Sequence, residues 1–407
     1  MLKHLEAALR LPPLPKRWRT HLSHCQEFPF FLQETWLLEM NDRYQLFPKQ
    51  LPLVLDAAKA AQRNPNLTCY INLLYEAMKS RACFQEEMKT LTLPEAAPTQ
   101  ESLGFDLAPL LAMLPHLCAT MDRLFQMGIP ESVIRSTYVI AELTLDLNTR
   151  RLGRPMYDLR YFQWLQRHID GTLFRVGALE YELLETMGGY CGLYRCTGGS
   201  YAVLAEKGRF GPDGRIMPIP VSSGEYTEAQ YRETEAYYEG LPVDSKGNVC
   251  CKPIRLHKGR WERVCGPESA AVGVHIPRGV KLTRDNLRKS YTDAMALLSQ
   301  YFPDFSYQAF CCHSWLLDSQ LSQLLPENSN ILTFQSDFLL CPMDGMDTAI
   351  FIFLYPHPYE DWTQLPEKTS LERSVKSHLL SGNHIYELQG LIPAAWLQEH
   401  TSSENNL

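Results

Sequence analysis

Long apolar runs are missing from this sequence. The most apolar stretch, Ala349-Ile350-Phe351-Ile352-Phe353-Leu354-Tyr355, is far shorter than the roughly 20 residues that a membrane-spanning helix needs, and it reads as a buried strand. No block of lysine and arginine stands out either. The chain carries 39 basic and 46 acidic residues for a formal charge of -7, which argues against a phosphate-tracking surface and so against a nucleic-acid partner. Cys-x-x-Cys spacing is absent. The twelve cysteines are scattered and include the adjacent pairs Cys250-Cys251 and Cys311-Cys312. Neighbouring cysteines bridge poorly, so reduced thiols in a reducing compartment are expected, with no metal site. The opening Met1-Leu2-Lys3-His4-Leu5-Glu6 is broken by charge and then by proline, without the apolar centre of an export signal. A cytoplasmic protein with no membrane partner is the expectation. No Gly-x-x-x-x-Gly-Lys-Ser/Thr loop and no strand-linked Gly-x-Gly-x-x-Gly occurs, which excludes the common nucleotide cradles. No internal repeat is visible.

What is present is an ordinary globular composition, 45% hydrophobic and 21% charged over 407 residues, enough for two domains of unequal size. From Gln50 to about Arg151 the apolar residues recur at helical spacing: Leu51, Val54, Ala58 and Ala61, then Leu67 to Met88 and Leu107 to Met127, the pattern of a bundle. Pro130 opens a further helix, and one from Tyr157 to Ile169 stops at Asp170-Gly171. Pro94 to Pro98 reads as an exposed loop.

After Gly171 the texture changes to strands, and the boundary is expected there: a helical domain over 1–170 and a second domain over 171–395. Leu173 to Glu182 alternates with β-forming residues. Val249 to Leu256 and Trp261 to Cys265, flanking His257-Lys258-Gly259, suggest a hairpin. A strand Ala271 to Pro277 leads through Arg278-Gly279-Val280-Lys281-Leu282 to a helix opening at Thr283, a good N-cap, with Leu287, Tyr291, Ala294, Leu297 and Leu298 on one face. Strands follow at Tyr307 to Cys312, Ile331 to Cys341 and Thr348 to Tyr355. A helix Ser370 to Leu380 and a closing Ile385 to Leu388 complete the domain.

Four places could carry chemistry. The helix start after Lys281 is a ready anion site, because free backbone amides and the positive end of the helix dipole meet Arg278, Lys281 and Arg284 there; an ordinary capped helix accounts for it equally. His275 lies on the strand feeding that loop and could accept a proton, or be structural. Glu180 and Glu182 share one strand face, with Tyr181 on the other; they could form a tuned carboxyl pair or a solvated face. His313 and Ser314 sit where a strand becomes a helix. Without Gly-x-Ser-x-Gly around Ser314 a hydrolase elbow is poorly supported, and Cys312 reads as structural.

Taken together, Phe174 to Glu182, Val274-His275-Ile276-Pro277 with its Leu-Thr-opened helix, Cys312 to Leu317 and Asn328-Ser329-Asn330-Ile331 resemble bacterial acyltransferase-like proteins. These join a helical N-acyltransferase N-terminal domain to a C-terminal domain similar to the GNAT superfamily. The resemblance spans about residues 40 to 392. It implies an α+β fold, helices first and then a mixed, mostly antiparallel sheet with flanking helices. It also implies that the sheet splays at its centre, with acyl-CoA or acetyl-CoA in the splay and its pyrophosphate on the helix after the fourth strand. The usual fingerprint there is Arg or Gln, two free positions, Gly, one free position, Gly or Ala; this sequence has Arg278-Gly279-Val280-Lys281-Leu282 instead.

The expected function is direct acyl transfer from a CoA thioester to a small-molecule amine or a peptide, by a monomer or homodimer. Glu180 or His275 would be the base and Ser314, His313 or Tyr181 the acid. Val274, Ile276, Arg278, Gly279, Lys281, Thr283 and Asn286 would surround the co-substrate. The rival from another class is a non-catalytic GNAT-fold binding or interaction protein; a Ser or Cys hydrolase is the third.

Overall fold

The structure, a computed structural model, describes residues 1–23, 27–88, 102–157, 162–217, 225–355 and 359–402. The expected loop from Pro94 to Pro98 lies outside them. The chain divides into two compact units, Met1–Arg175 and Val176–Leu407. Among the described residues no helix is long and apolar enough to cross a membrane.

The first unit is helical. Its core is built on the helices Leu51–Gln62, Pro65–Met78 and Ala108–Gln126, whose apolar stripes supply Val54, Leu73, Leu110, Leu114, Leu117 and Met121, each at most 1% exposed. Helical spacing produces this because residues three and four apart share a face. Their starts are locally encoded: the Asn64 side chain accepts from the amides of Asn66 and Leu67, ahead of Pro65 at the first helical position. Pro130 precedes the helix Glu131–Tyr138, and the helix Phe162–Asp170 ends at Gly171, whose φ is 68°.

The strands, in chain order, are β1 (Leu173–Val176), β2 (Leu179–Leu184), β3 (Cys191–Cys196), β4 (Tyr201–Ala205), β5 (Arg209–Phe210), β6 (Thr227–Glu228), β7 (Arg232–Glu233), β8 (Tyr237–Pro242), β9 (Ile254–His257), β10 (Trp261–Cys265), β11 (Ala271–His275), β12 (Ala309–Ser314), β13 (Leu339–Met346) and β14 (Tyr386–Pro393). In the second unit the main sheet runs β2-β11-β12-β14-β13, and a second sheet runs β10-β3-β4-β8 with β9 and β7 on β8. Only β11 and β12 are parallel in the main sheet; its other pairs are antiparallel. The fold is therefore α+β with a mixed, mostly antiparallel sheet.

Period-two alternation sends the side chains of the main sheet to two different covers. On one face Ala271, Ala309, Cys311, Cys341 and Leu391 pack against Cys191, Leu193 and Val203 of the second sheet. On the other lies the helix Arg284–Tyr301, which buries Leu287, Ser290, Tyr291, Ala294, Leu297 and Leu298. Tyr181 and Tyr291 both meet the Phe310 ring edge-on.

Three local expectations are corrected. Ile331 to Cys341 is not one strand: the Ser329 side chain caps a helix Asn330–Gln335, and β13 begins only at Leu339, so the capping hydroxyl prevails over the β-forming residues. Ala349 to Tyr355 is not a buried strand. Asp347 turns the chain with φ 59° and Ile350–Phe353 forms a helical turn that leaves Ile352 52% and Phe353 67% exposed. A short unbroken apolar run has no periodicity to separate strand from helix. Finally, β9 and β10 do not form a hairpin. The turn between them exists, with the Arg260 amide donating to the His257 carbonyl, but β9 pairs with β8 and β10 with β3.

Candidate active site

The site begins where β11 and β12 part. As parallel neighbours they share the rungs Val272–Phe310 and Gly273–Cys311, and the ladder ends there. Each strand keeps its outer neighbour further along: β11 stays on β2 as far as His275 opposite Glu180, and β12 stays on β14 as far as Ser314 opposite Leu388. Two strands held from outside but not to each other form a wedge-shaped opening at their C-terminal ends.

A polar row crosses that opening on the face shared with the inter-sheet core. Glu182 stands opposite Gly273, and its Oε2 lies 2.8 Å from Nε2 of His275. Gly273 lies directly under the pair: a Cβ there would sit 3.0 Å from Leu184 Cδ1, 3.3 Å from the Glu182 Cβ and 3.4 Å from the His275 Nε2. An ionised carboxylate only accepts, so His275 donates from Nε2 and its basic lone pair is on Nδ1. Across the opening, His313 stands opposite Gln389, with Nε2 of each 2.9 Å apart.

The two histidines differ electrically. The His313 ring is accessible to solvent, yet desolvation by the surrounding chain, followed by the charge of His275, lowers its pKa to about 4 against a smaller opposing pull from Glu182. His275 is 27% exposed at its side chain, and Glu182 10%.

The other expected residues fall around this row. Glu180 is buried and opposite His275 in the ladder, but the bond to the imidazole comes from Glu182. Tyr181 is removed from the site: it points to the opposite face, where its hydroxyl lies 2.8 Å from the Ser290 hydroxyl and burial drives its pKa far up. Ser314 follows His313 on the strand and so points away from it; its Oγ accepts from the Leu316 amide and caps the turn Trp315–Leu317. Cys312 is buried, with its thiol pKa pushed up by desolvation.

Beyond β11 the loop carries Arg278, Gly279 and Lys281 exposed, with Gly279 at φ 80°. Thr283 caps the helix by accepting from the Asn286 amide, and the Asn286 side chain donates to the Lys281 carbonyl. The amides of Arg284 and Asp285 are thus the ones left for an anion at this helix end. Arg284 itself is paired with Asp337 and Ser336, which leaves Arg278 and Lys281 as the cations for a phosphate. Val274 is buried opposite Tyr181, so its backbone rather than its side chain borders the opening; Ile276 is half-buried just past it.

Among the described residues no group of three His, Cys, Asp or Glu side chains is arranged to hold a metal ion. A separate hollow of about 280 Å³, lined by Leu298, Phe302, Phe305, Tyr307 and Ala394 among others, lies at the other end of the Arg284–Tyr301 helix, away from the histidines.

A mixed sheet opened between two parallel strands, with a capped helix following the first of them, defines a GNAT-like domain. The chain belongs to the GNAT-like C-terminal domain family, whose model matches residues 173–392, more than half of the sequence. Similar solved structures include an acyltransferase in complex with CoA and 10C-teicoplanin (18% identity, 96% of this chain and 98% of that one, TM-score 0.61). Another is an acyltransferase in complex with decanoyl-CoA (20%, 96% and 99%, TM-score 0.58), and a third is an acyltransferase mutant in complex with octanoyl-CoA (17%, 96% and 98%, TM-score 0.60). At these identities the likeness speaks for the fold. No curated protein matches the sequence.

Sequence reasoning missed Gln389, and it singled out Glu182 only as the partner of Glu180 and not of His275. Glu182 carried a signal, since it shares a strand face with Glu180. Gln389 carried none: it becomes adjacent to His313 only through the pairing of β14 with β12.

Proposed function

We propose that this protein is an acyl-CoA-dependent N-acyltransferase that moves an acyl group directly from the CoA thioester to an amine. The observation that carries the reading is the parting of β11 and β12 after two rungs, with one imidazole on each strand beside the opening. The acyl-CoA complexes of structures with this fold support the same choice of co-substrate. The thioester would lie in the opening, and its phosphates would meet Arg278, Lys281 and the helix end capped by Thr283 and ordered by Asn286, with Gly279 giving the loop its turn.

In the reaction the amine nitrogen attacks the thioester carbon, the C–N bond forms and the C–S bond breaks. The ammonium would lose its proton to His275, and the imidazolium so formed would return one to the departing thiolate, so that no other acid is needed. His275, backed by the Glu182 carboxylate, is the base favoured here over Glu180, because a neighbouring carboxylate stabilises the imidazolium that forms. His313 faces the reacting carbonyl from the other strand. Octanoyl and decanoyl groups in the fold relatives favour a medium-chain acyl donor over acetyl. The 10C-teicoplanin held by one of them favours a larger acceptor, which agrees with a peptide-like partner.

The test is calorimetry and thermal shift of the whole chain with CoA, acetyl-CoA, octanoyl-CoA and decanoyl-CoA. A ligand at a hundred times its Kd adds about 2.7 kcal/mol of apparent stability. Saturable binding lost on Arg278→Glu with Lys281→Glu, together with a fall of about 10² or more in turnover for His275→Ala, is the expected result. Failure of every CoA species to bind overturns the reading.

A further inference from the structure

Gln389 is fully buried on β14. Its Nε2 lies 2.9 Å from Nε2 of His313 and 3.5 Å from each of the carbonyl oxygens of Met187 and Gly188. Carbonyls only accept, so the amide must turn its nitrogen toward them; the reversed amide would set Oε1 against two oxygens. The nitrogen then has one hydrogen for the backbone carbonyls and one for His313, and the ring nitrogen it faces must hold the lone pair. Neutral His313 therefore carries its proton on Nδ1. Meanwhile Oε1 is buried without a hydrogen-bond partner among the described residues. It presses on Gly189, at φ 76°, where a Cβ would come within 2.3 Å of it. A buried orphan acceptor is unfavourable, and a leucine or methionine would fill the same space without one, so a glutamine here points to a task beyond packing.

We propose that Gln389 is a positioning residue for the acyl transfer described above: it holds His313 in the Nδ1–H form, so that His313 acts as a fixed neutral hydrogen-bond donor to the thioester carbonyl and not as a proton-delivering acid. This rests on the acyltransferase reading. A donor that is already neutral and oriented stabilises negative charge developing on the carbonyl oxygen without reorganising. His275, hydrogen-bonded to Glu182, is then the proton-accepting member of the pair. The depressed pKa of His313 agrees. The titratable groups that face it are His275 from β11 and Glu182 from β2, and Gln389 adds a neutral neighbour from β14.

The experiment uses the full chain with labelled imidazole nitrogens. In the wild type, His313 is expected to show the Nδ1–H pattern and no titration between about pH 5 and 8. Gln389→Glu places an acceptor in the same position and is expected to shift the proton to Nε2, bring His313 titration into that range, and lower kcat at least about tenfold with the KM for acyl-CoA nearly unchanged. Gln389→Met removes the donor without adding charge, so it remains informative should the buried glutamate prevent folding; a mixture of both tautomers and an intermediate kcat are expected. An Nε2–H pattern in the wild type, or tautomers indifferent to both substitutions, overturns the role of Gln389. If the tautomers behave as expected while the wild type consumes no thioester of CoA, the acyltransferase reading fails and takes the carbonyl-donor role with it.

Discussion

Ser290 sits fully buried where three groups of the strand side converge on one hydroxyl. It donates to the Val176 carbonyl, accepts from the Leu179 amide at 3.3 Å and meets the Tyr181 hydroxyl at 2.8 Å. Gly177, at φ 62°, brings the turn so close that a Cβ would lie 3.3 Å from the Ser290 Cβ. Removing the hydroxyl strands polar groups away from water, so Ser290→Ala is expected to cost about 1–3 kcal/mol in chemical denaturation. Tyr181→Phe removes one bond only and is expected to cost about 1 kcal/mol, with turnover unchanged because the phenol is on the helix face. Loss of turnover in a stably folded Tyr181→Phe would return that residue to the mechanism. The choice of Glu182 over Glu180 as the carboxylate on His275 has the same origin. Both share a strand face, and which one reaches the ring depends on side-chain direction around Gly273, a matter of register that residue spacing does not contain.

At the scale of elements, the starts and stops were legible because they are written within a few residues. Thr283 caps its helix by accepting from the Asn286 amide, and Thr369 and Glu372 form a reciprocal capping box at the start of Ser370–Leu380. The hairpin between β9 and β10 was misread because the turn is local while the strand partners are not. The opening between β11 and β12 is also a property of elements, and Gly273 stands at its last shared rung, beneath the Glu182–His275 contact. Gly273→Val would put branched carbons where the Glu182–His275 contact lies, and a displacement of about 1 Å can cost roughly 10² in rate. Turnover of Gly273→Val is therefore expected to fall by about that factor, and Gly273→Ala by less. Equal activity in both would show that the contact is dispensable.

Across the whole molecule every described cysteine is free, and of these only Cys83, Cys250 and Cys251 are exposed. Burial pushes the thiols of Cys118, Cys265 and Cys311 up to about 12, which suppresses the reactive thiolate. A thiol reagent is expected to modify Cys83, Cys250 and Cys251 quickly in the native protein and Cys118, Cys265 and Cys311 only after denaturation, with the denatured total unchanged by prior reduction. A total that rises with reductant would reveal a disulfide.

By itself the sequence determined the order of the architecture, helices followed by a mixed sheet, since hydrophobic period and capping residues are local quantities. It also marked His275, His313 and the loop to Thr283 as places where chemistry could gather. Only the tertiary structure decided that β11 and β12 part after two rungs, that Glu182 takes His275, that Gln389 stands behind His313, and that Tyr181 faces away. Each of these depends on which strand lies beside which, and strand neighbours are chosen by the packing of residues distant in the chain.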